Sequence, residues 1–127
     1  MSYNAKKERD ALVGREGERK VAEYLRKQGY IIVKRNYRER FGEIDIIAEK
    51  DNVLAFVEVK TRSENAIFSG LEAITPAKQV RLYKTAALFL QRINGDYEVR
   101  FDAAEVNMYY KADGTIGWRL NYIENAF

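Results

Sequence analysis

The chain has 127 residues, of which 46% are apolar and 13% aromatic, enough for one domain with its own core. It contains neither cysteine nor histidine, which excludes disulfides, thiolate and imidazole metal sites, and Ser-His or Cys-His catalysis. Net charge is +3, but residues 1–40 hold 12 Lys/Arg against 6 Asp/Glu while residues 41–127 hold 10 against 13.

A basic first third beside an acidic remainder suits a polyanion held against a metal site. The same asymmetry also reads as an ordinary solvated surface. No apolar run approaches the roughly 18 residues of a membrane span, and Met1 to Glu8 does not resemble a secretion signal. A cytoplasmic protein with no membrane partner is therefore expected.

Residues 1–13 are polar and read as frayed or loosely helical. Arg15 to Gln28 reads as the first helix, with Val21, Ala22 and Leu25 on one face and Gly29 as the residue after its cap. Tyr30 to Val33 reads as a short strand that continues through Lys34 to Arg38. Two more strands follow, Glu43 to Ala48 and Val53 to Thr61, joined by a turn at Glu49 to Asn52.

Residues 62–74 read as a glycine-containing loop. Thr75-Pro76 is a helix start, with a hydroxyl at the N-cap and Pro at the first helical position. The second helix runs to about Arg92, with Val80, Tyr83, Ala87 and Leu90 at helical spacing. Asn94-Gly95 ends it. Tyr97 to Asn107 reads as a strand, Asp113-Gly114 as a turn, and Ile116 to Ile123 as a last strand alternating Ile116, Trp118, Leu120 and Tyr122. The order α-β-β-β-α-β-β gives an α/β class: a mixed five-stranded sheet flanked by helices, in a single domain spanning residues 1–127.

The chemistry concentrates in Glu43-Ile44-Asp45 and Glu58-Val59-Lys60. Strand side chains alternate, so the first and third of each triplet share a face. A two- or four-residue loop between the strands makes opposed residue numbers sum to an odd value, and Asp45, Glu58 and Lys60 then lie on one face. A three-residue loop would turn Asp45 away. The apolar alternation of Val53, Ala55, Val57 and Val59 against Ile44, Ile46 and Ala48 favours the first register. Two carboxylates and an ammonium suit Mg²⁺ or Mn²⁺ and a phosphate. The bland alternative is a row of solvent-facing ion pairs, although charges on so apolar a strand are costly without a partner or a task.

Glu18 points with the apolar face of the first helix. It is either a third carboxylate reaching the metal or a stripe-edge partner of Arg15 or Lys34. Gly14 and Gly17 would let the backbone approach a phosphate or a neighbouring element. Arg35, Arg38, Arg40 and Arg62 are placed to bind flanking phosphates. Lys78, Gln79 and Arg81, with Lys84, could lay one face of the second helix along a nucleic-acid backbone, unless that face is simply solvated. Tyr83 reads as a core residue.

Gly17-Glu18, Ala22-Glu23-Tyr24-Leu25, Gly29-Tyr30, Arg35-Asn36, Gly42 to Ala48 and Phe56 to Arg62 stand in order, followed by Lys78-x-x-Arg81 and Arg100-Phe101-Asp102. Together they resemble the YraN-like family of bacterial proteins, which is regarded as an endonuclease group of the PD-(D/E)xK superfamily close to archaeal Holliday-junction resolvases. The likeness covers about residues 12–106. It implies a restriction-endonuclease-like core, Asp45 and Glu58 as metal ligands, Lys60 as the catalytic lysine, and Glu18 as the helix acid of the resolvase-like branch. Gln79 and Tyr83 resemble a Gln-x-x-x-Tyr element of some superfamily nucleases. Resolvase relatives imply a homodimer. The resulting expectation is a Mg²⁺-dependent enzyme that hydrolyses DNA, in branched or single-stranded structures, by a metal-activated water. The rivals are a non-catalytic nucleic-acid-binding module and an interaction subunit on the same fold.

Overall fold

The computed structural model describes residues 3–63 and 74–127, with Tyr3 described by its backbone alone. Seven elements form in the expected order: α1 (Tyr3–Lys27), β1 (Ile31–Glu39), β2 (Gly42–Lys50), β3 (Val53–Arg62), α2 (Pro76–Gln91), β4 (Glu98–Tyr110) and β5 (Ile116–Ile123). Most of the expected loop at 62–74 lies outside the described residues.

The five strands make one sheet in the order β1-β2-β3-β4-β5. Neighbours are antiparallel except β3 and β4, which run parallel. That pairing needs a crossover, and α2 lies on it. The mixed five-stranded sheet flanked by helices is therefore what forms, in an arrangement consistent with a restriction-endonuclease-like core.

Both faces of the sheet are covered. On one, Val21, Ala22 and Leu25 of α1 pack on Ile46, Ala48, Ala55, Val57, Ala104 and Val106. On the other, Leu82, Ala86 and Phe89 of α2 pack on Ile44, Ile47, Leu54, Phe56 and Ala103. Burial on two sides explains why β2 and β3 are nearly continuous apolar runs.

The turn between β2 and β3 is two residues long. Asp51 and Asn52 take φ of 49° and 65°, left-handed values that asparagine and aspartate tolerate and that a tight hairpin requires. Pairing runs from Lys50↔Val53 to Ile46↔Val57, the odd register. The α1 terminus is a Schellman motif: Gly29, at φ 95°, donates its N–H to Arg26 O at 3.0 Å, and Tyr30 donates to Leu25 O at 2.9 Å. At α2, the Thr75 hydroxyl accepts from the Lys78 N–H at 3.3 Å, with Pro76 in the first turn.

Two local expectations change. Residues 3–13 belong to α1, continuous with the packed half of the helix although residues 4–12 are exposed. In α2 the buried residues are Leu82, Thr85, Ala86 and Phe89, whereas Val80 is 47% and Tyr83 38% exposed. Two apolar stripes at helical spacing overlap in Val80 to Leu90, and the one that meets Phe56 wins. Tyr83 instead packs edge-on against Phe101, 4.7 Å between centroids.

Gly17 sets how closely α1 approaches β3, since a Cβ there would overlap the Thr61 side chain. Gly14 has open space around it. Gly17→Ala should therefore lower stability by about 1–3 kcal/mol through overpacking, although alanine is the better helix former. Thr61→Ala in the same chain should recover most of the loss. Thermal unfolding of the single and double variants tests this, and an unchanged Gly17→Ala would remove the close-approach argument.

Candidate metal and nucleic-acid site

Beyond Ile46↔Val57 the register of β2 and β3 gives no further pair. There the Val59 N–H donates to Asp45 Oδ2 at 2.7 Å, so a side chain takes a backbone donor that a continuing ladder would use. A cleft of about 320 Å³ opens at this point. Its walls are Gly42, Glu43, Asp45, Glu58, Val59, Lys60 and, from α2, Lys78, Arg81 and Leu82.

Glu58 is 5% exposed, on a central strand. Its Oε1 receives two ammonium groups: Lys78 Nζ at 2.7 Å and Lys60 Nζ at 3.2 Å. The two lysines differ in environment. Burial, then the adjacent Lys78, lowers the pKa of Lys60 against the pull of Glu58. Burial opposes the charge of Lys78 too, but hydrogen bonding to Glu58 and the charges of Glu58 and Asp45 outweigh it, and its pKa is raised.

Asp45 has no ion pair among the described residues. Burial first, then the charge of Glu58, push its carboxyl up to about 7, against the Val59 N–H, which favours the anion. Two crowded carboxylates at the mouth of a cleft could hold a hard divalent cation by oxygen contacts. No three acids converge into a metal cage among the described residues. A cation here would keep part of its shell for water and phosphate oxygens, which is how Mg²⁺ commonly binds.

Glu18 lies outside that group. It sits on α1, 3.7 Å from Arg35 Nη2, rather than beside Arg15 or Lys34. Its Oε1 is buried without a hydrogen bond, and burial raises its pKa despite Arg35 and Asn36. Its charge still acts on Asp45.

The basic residues scatter. Arg81 joins Lys78 on the cleft wall. Arg38 pairs with Glu43 at 3.2 Å. Arg40 lies over the Phe41 ring, as does Lys84. Arg62 lines a different groove. Gln79 donates its side-chain amide to Ile74 O at 3.2 Å, bracing the start of α2. Sequence reasoning placed Glu43 on the face of Asp45 without giving it a role; it lines the cleft and adds its charge to Asp45 and Glu18. The signal was available, since period two puts Glu43 on the same face as Asp45.

Because the folded protein holds the Asp45 proton more tightly than the unfolded chain does, the stability it contributes is full below the unfolded value of 3.8 and is lost as pH rises to about 7. Asp45→Asn should therefore unfold at a higher temperature than the native protein at about pH 8 without divalent ions, and at a similar temperature at about pH 4. An equal or lower unfolding temperature at the alkaline end would contradict a crowded, unpaired carboxylate.

Residues 17–106 match the family described as "Uncharacterised protein family UPF0102". A UPF0102 protein of Alkaliphilus metalliredigens is 42% identical over 118 residues, covering 91% of this chain and 96% of the relative. One from Symbiobacterium thermophilum is 47% identical over 116 residues, covering 91% and 95%. One from Clostridium botulinum is 46% identical over 117 residues, covering 91% and 93%. The matched span runs from Gly17 and Glu18 through the carboxylate strand pair to Val106.

Proposed function

The chain belongs to the UPF0102 family, and from the geometry of its strand pair we propose that it is a metal-dependent endonuclease that hydrolyses DNA phosphodiester bonds. The observation that carries this is the meeting of Asp45, Glu58 and Lys60 at the mouth of one cleft, where β2 and β3 part. In this reading Asp45 and Glu58 hold Mg²⁺ or Mn²⁺. When bound there, such an ion would supply positive charge to a phosphate oxygen and lower the pKa of a bound water.

The protein's own groups do the rest. The Val59 N–H fixes the Asp45 carboxylate. Lys60, inclined by burial to release its proton, is placed to orient the attacking water or, when protonated, to neutralise charge on the phosphate. Lys78, held charged beside Glu58, and Arg81 on the same wall take flanking phosphates. Hydrolysis joins the water oxygen to phosphorus as the ester oxygen leaves. Glu18 serves through its field on Asp45 and through its ion pair with Arg35. A homodimer acting in the cytoplasm on branched or single-stranded DNA completes the reading.

One observation favours a second reading. Lys78 already satisfies Glu58 at 2.7 Å, and a cleft neutralised in this way suits a nucleic-acid-binding module that does not cut.

The test is cleavage of labelled single-stranded, duplex, flap and four-way-junction DNA with Mg²⁺ and Mn²⁺. Asp45→Ala and Lys60→Ala should each cut at least about a hundredfold more slowly, and Asp45→Ala should also lose Mn²⁺ binding by calorimetry. If no substrate is cut while all three proteins bind DNA equally, the binding module is the correct reading.

A further inference from the structure

The longest element is only half used by the fold. At 25 residues α1 is about 37 Å long, yet its buried residues are Gly17, Val21, Ala22 and Leu25. Residues 4–12 are exposed on all sides. A half-helix this exposed gains little from packing and is braced by the i,i+4 pair of Lys6 and Asp10.

This free half stands beside the far ends of β3 and β4 and encloses a groove of about 510 Å³, larger than the carboxylate cleft. Three cations line it: Lys6, Arg9 and Arg62. The one acid, Asp10, is already taken by Lys6 at 3.0 Å. Arg9 and Arg62 make no ion pair among the described residues. Opposite them is Tyr110, half exposed on β4. Gly14, also on the wall, leaves open space where a side chain would stand.

Unpaired cations tracking a groove, with an exposed aromatic ring inside it, are the elements that hold a single strand: cations for phosphates and a ring for a base. The groove lies beside α1 and the carboxylate cleft beside α2, on opposite faces of the sheet, and the end of β3 contributes to both. Lys60 lines the cleft and Arg62 the groove, about 7 Å apart along an extended strand, close to one nucleotide step.

We infer that the groove between the free half of α1 and the ends of β3 and β4 binds an unpaired nucleic-acid strand leading to or from the carboxylate cleft. This rests on the reading of the protein as a nuclease and adds a second surface, apart from the cleft, that holds its substrate. Arg9 and Arg62 contact phosphates there, and Tyr110 stacks on a base.

Fluorescence anisotropy with a labelled oligothymidylate of about 20 nucleotides tests it, in EDTA so that nothing is cut. Arg9→Glu should weaken binding about fivefold or more and flatten the dependence of affinity on salt by about 0.7 unit of slope for the phosphate that is no longer neutralised. Tyr110→Ala should weaken it about fivefold at unchanged salt slope. These side chains are exposed, so unfolding temperatures should match the native protein. Binding of the native protein with equal affinity in both variants would overturn the groove. So would failure of the native protein to bind the oligonucleotide at all. Metal-dependent cutting of blunt duplex DNA, measured on the same preparations, reports separately on the nuclease reading.

Discussion

The structure turns on one buried charge. Glu58 lies on β3, the middle strand of five, with Phe56 and Val57 before it almost wholly enclosed. A lone carboxylate there would be prohibitively costly, and two ammonium groups on the same oxygen offset that cost. They come from different elements: Lys60 from the same strand, Lys78 from α2. The position of α2 over the sheet is therefore fixed both by Leu82, Ala86 and Phe89 and by the demand of Glu58 for a second cation.

Three enclosed acids meet three fates. Asp102 is fully buried and fully satisfied: Arg100 donates at 2.9 Å, Tyr122 at 2.6 Å and the Asn125 N–H at 3.0 Å. Such a network holds the chain end and leaves nothing for a ligand. Glu58 is satisfied by cations that could move to another anion. Asp45 has one backbone N–H and repulsion from its neighbours. Unfulfilled electrostatics rise from β4 through β3 to β2, and the cleft opens at the high end.

Much of this was legible because local chemistry left little choice. The apolar alternation of β2 and β3 favoured an odd register, which the two-residue turn at Asp51-Asn52 realises, inside the longer turn expected at Glu49 to Asn52, and that register places Asp45 with Glu58 and Lys60 on one face. Thr75-Pro76 and Gly29 marked helix ends for equally local reasons. The face of α2 was not legible, since Val80, Tyr83, Ala87 and Leu82, Ala86, Phe89 both satisfy a helical period. The partners of Glu18 and Lys78 depend on which strand the helix crosses, which no spacing within the helix encodes. The start of α1 was read only as frayed or loosely helical, because a mostly polar stretch with no apolar face carries little periodic signal.

The parallel pairing of β3 with β4 also bears on the order in which the chain folds. Val53 meets Glu98 only after the whole crossover is in place, whereas β2 and β3 meet across two residues. Closing the short loop is fast and the long one slow. The two strands carrying Asp45 and Glu58 can therefore pair before the crossover docks α2 on the sheet. For that interval the acids face each other in water without Lys78, and the arrival of the crossover drives the charge of Glu58 out of solvent.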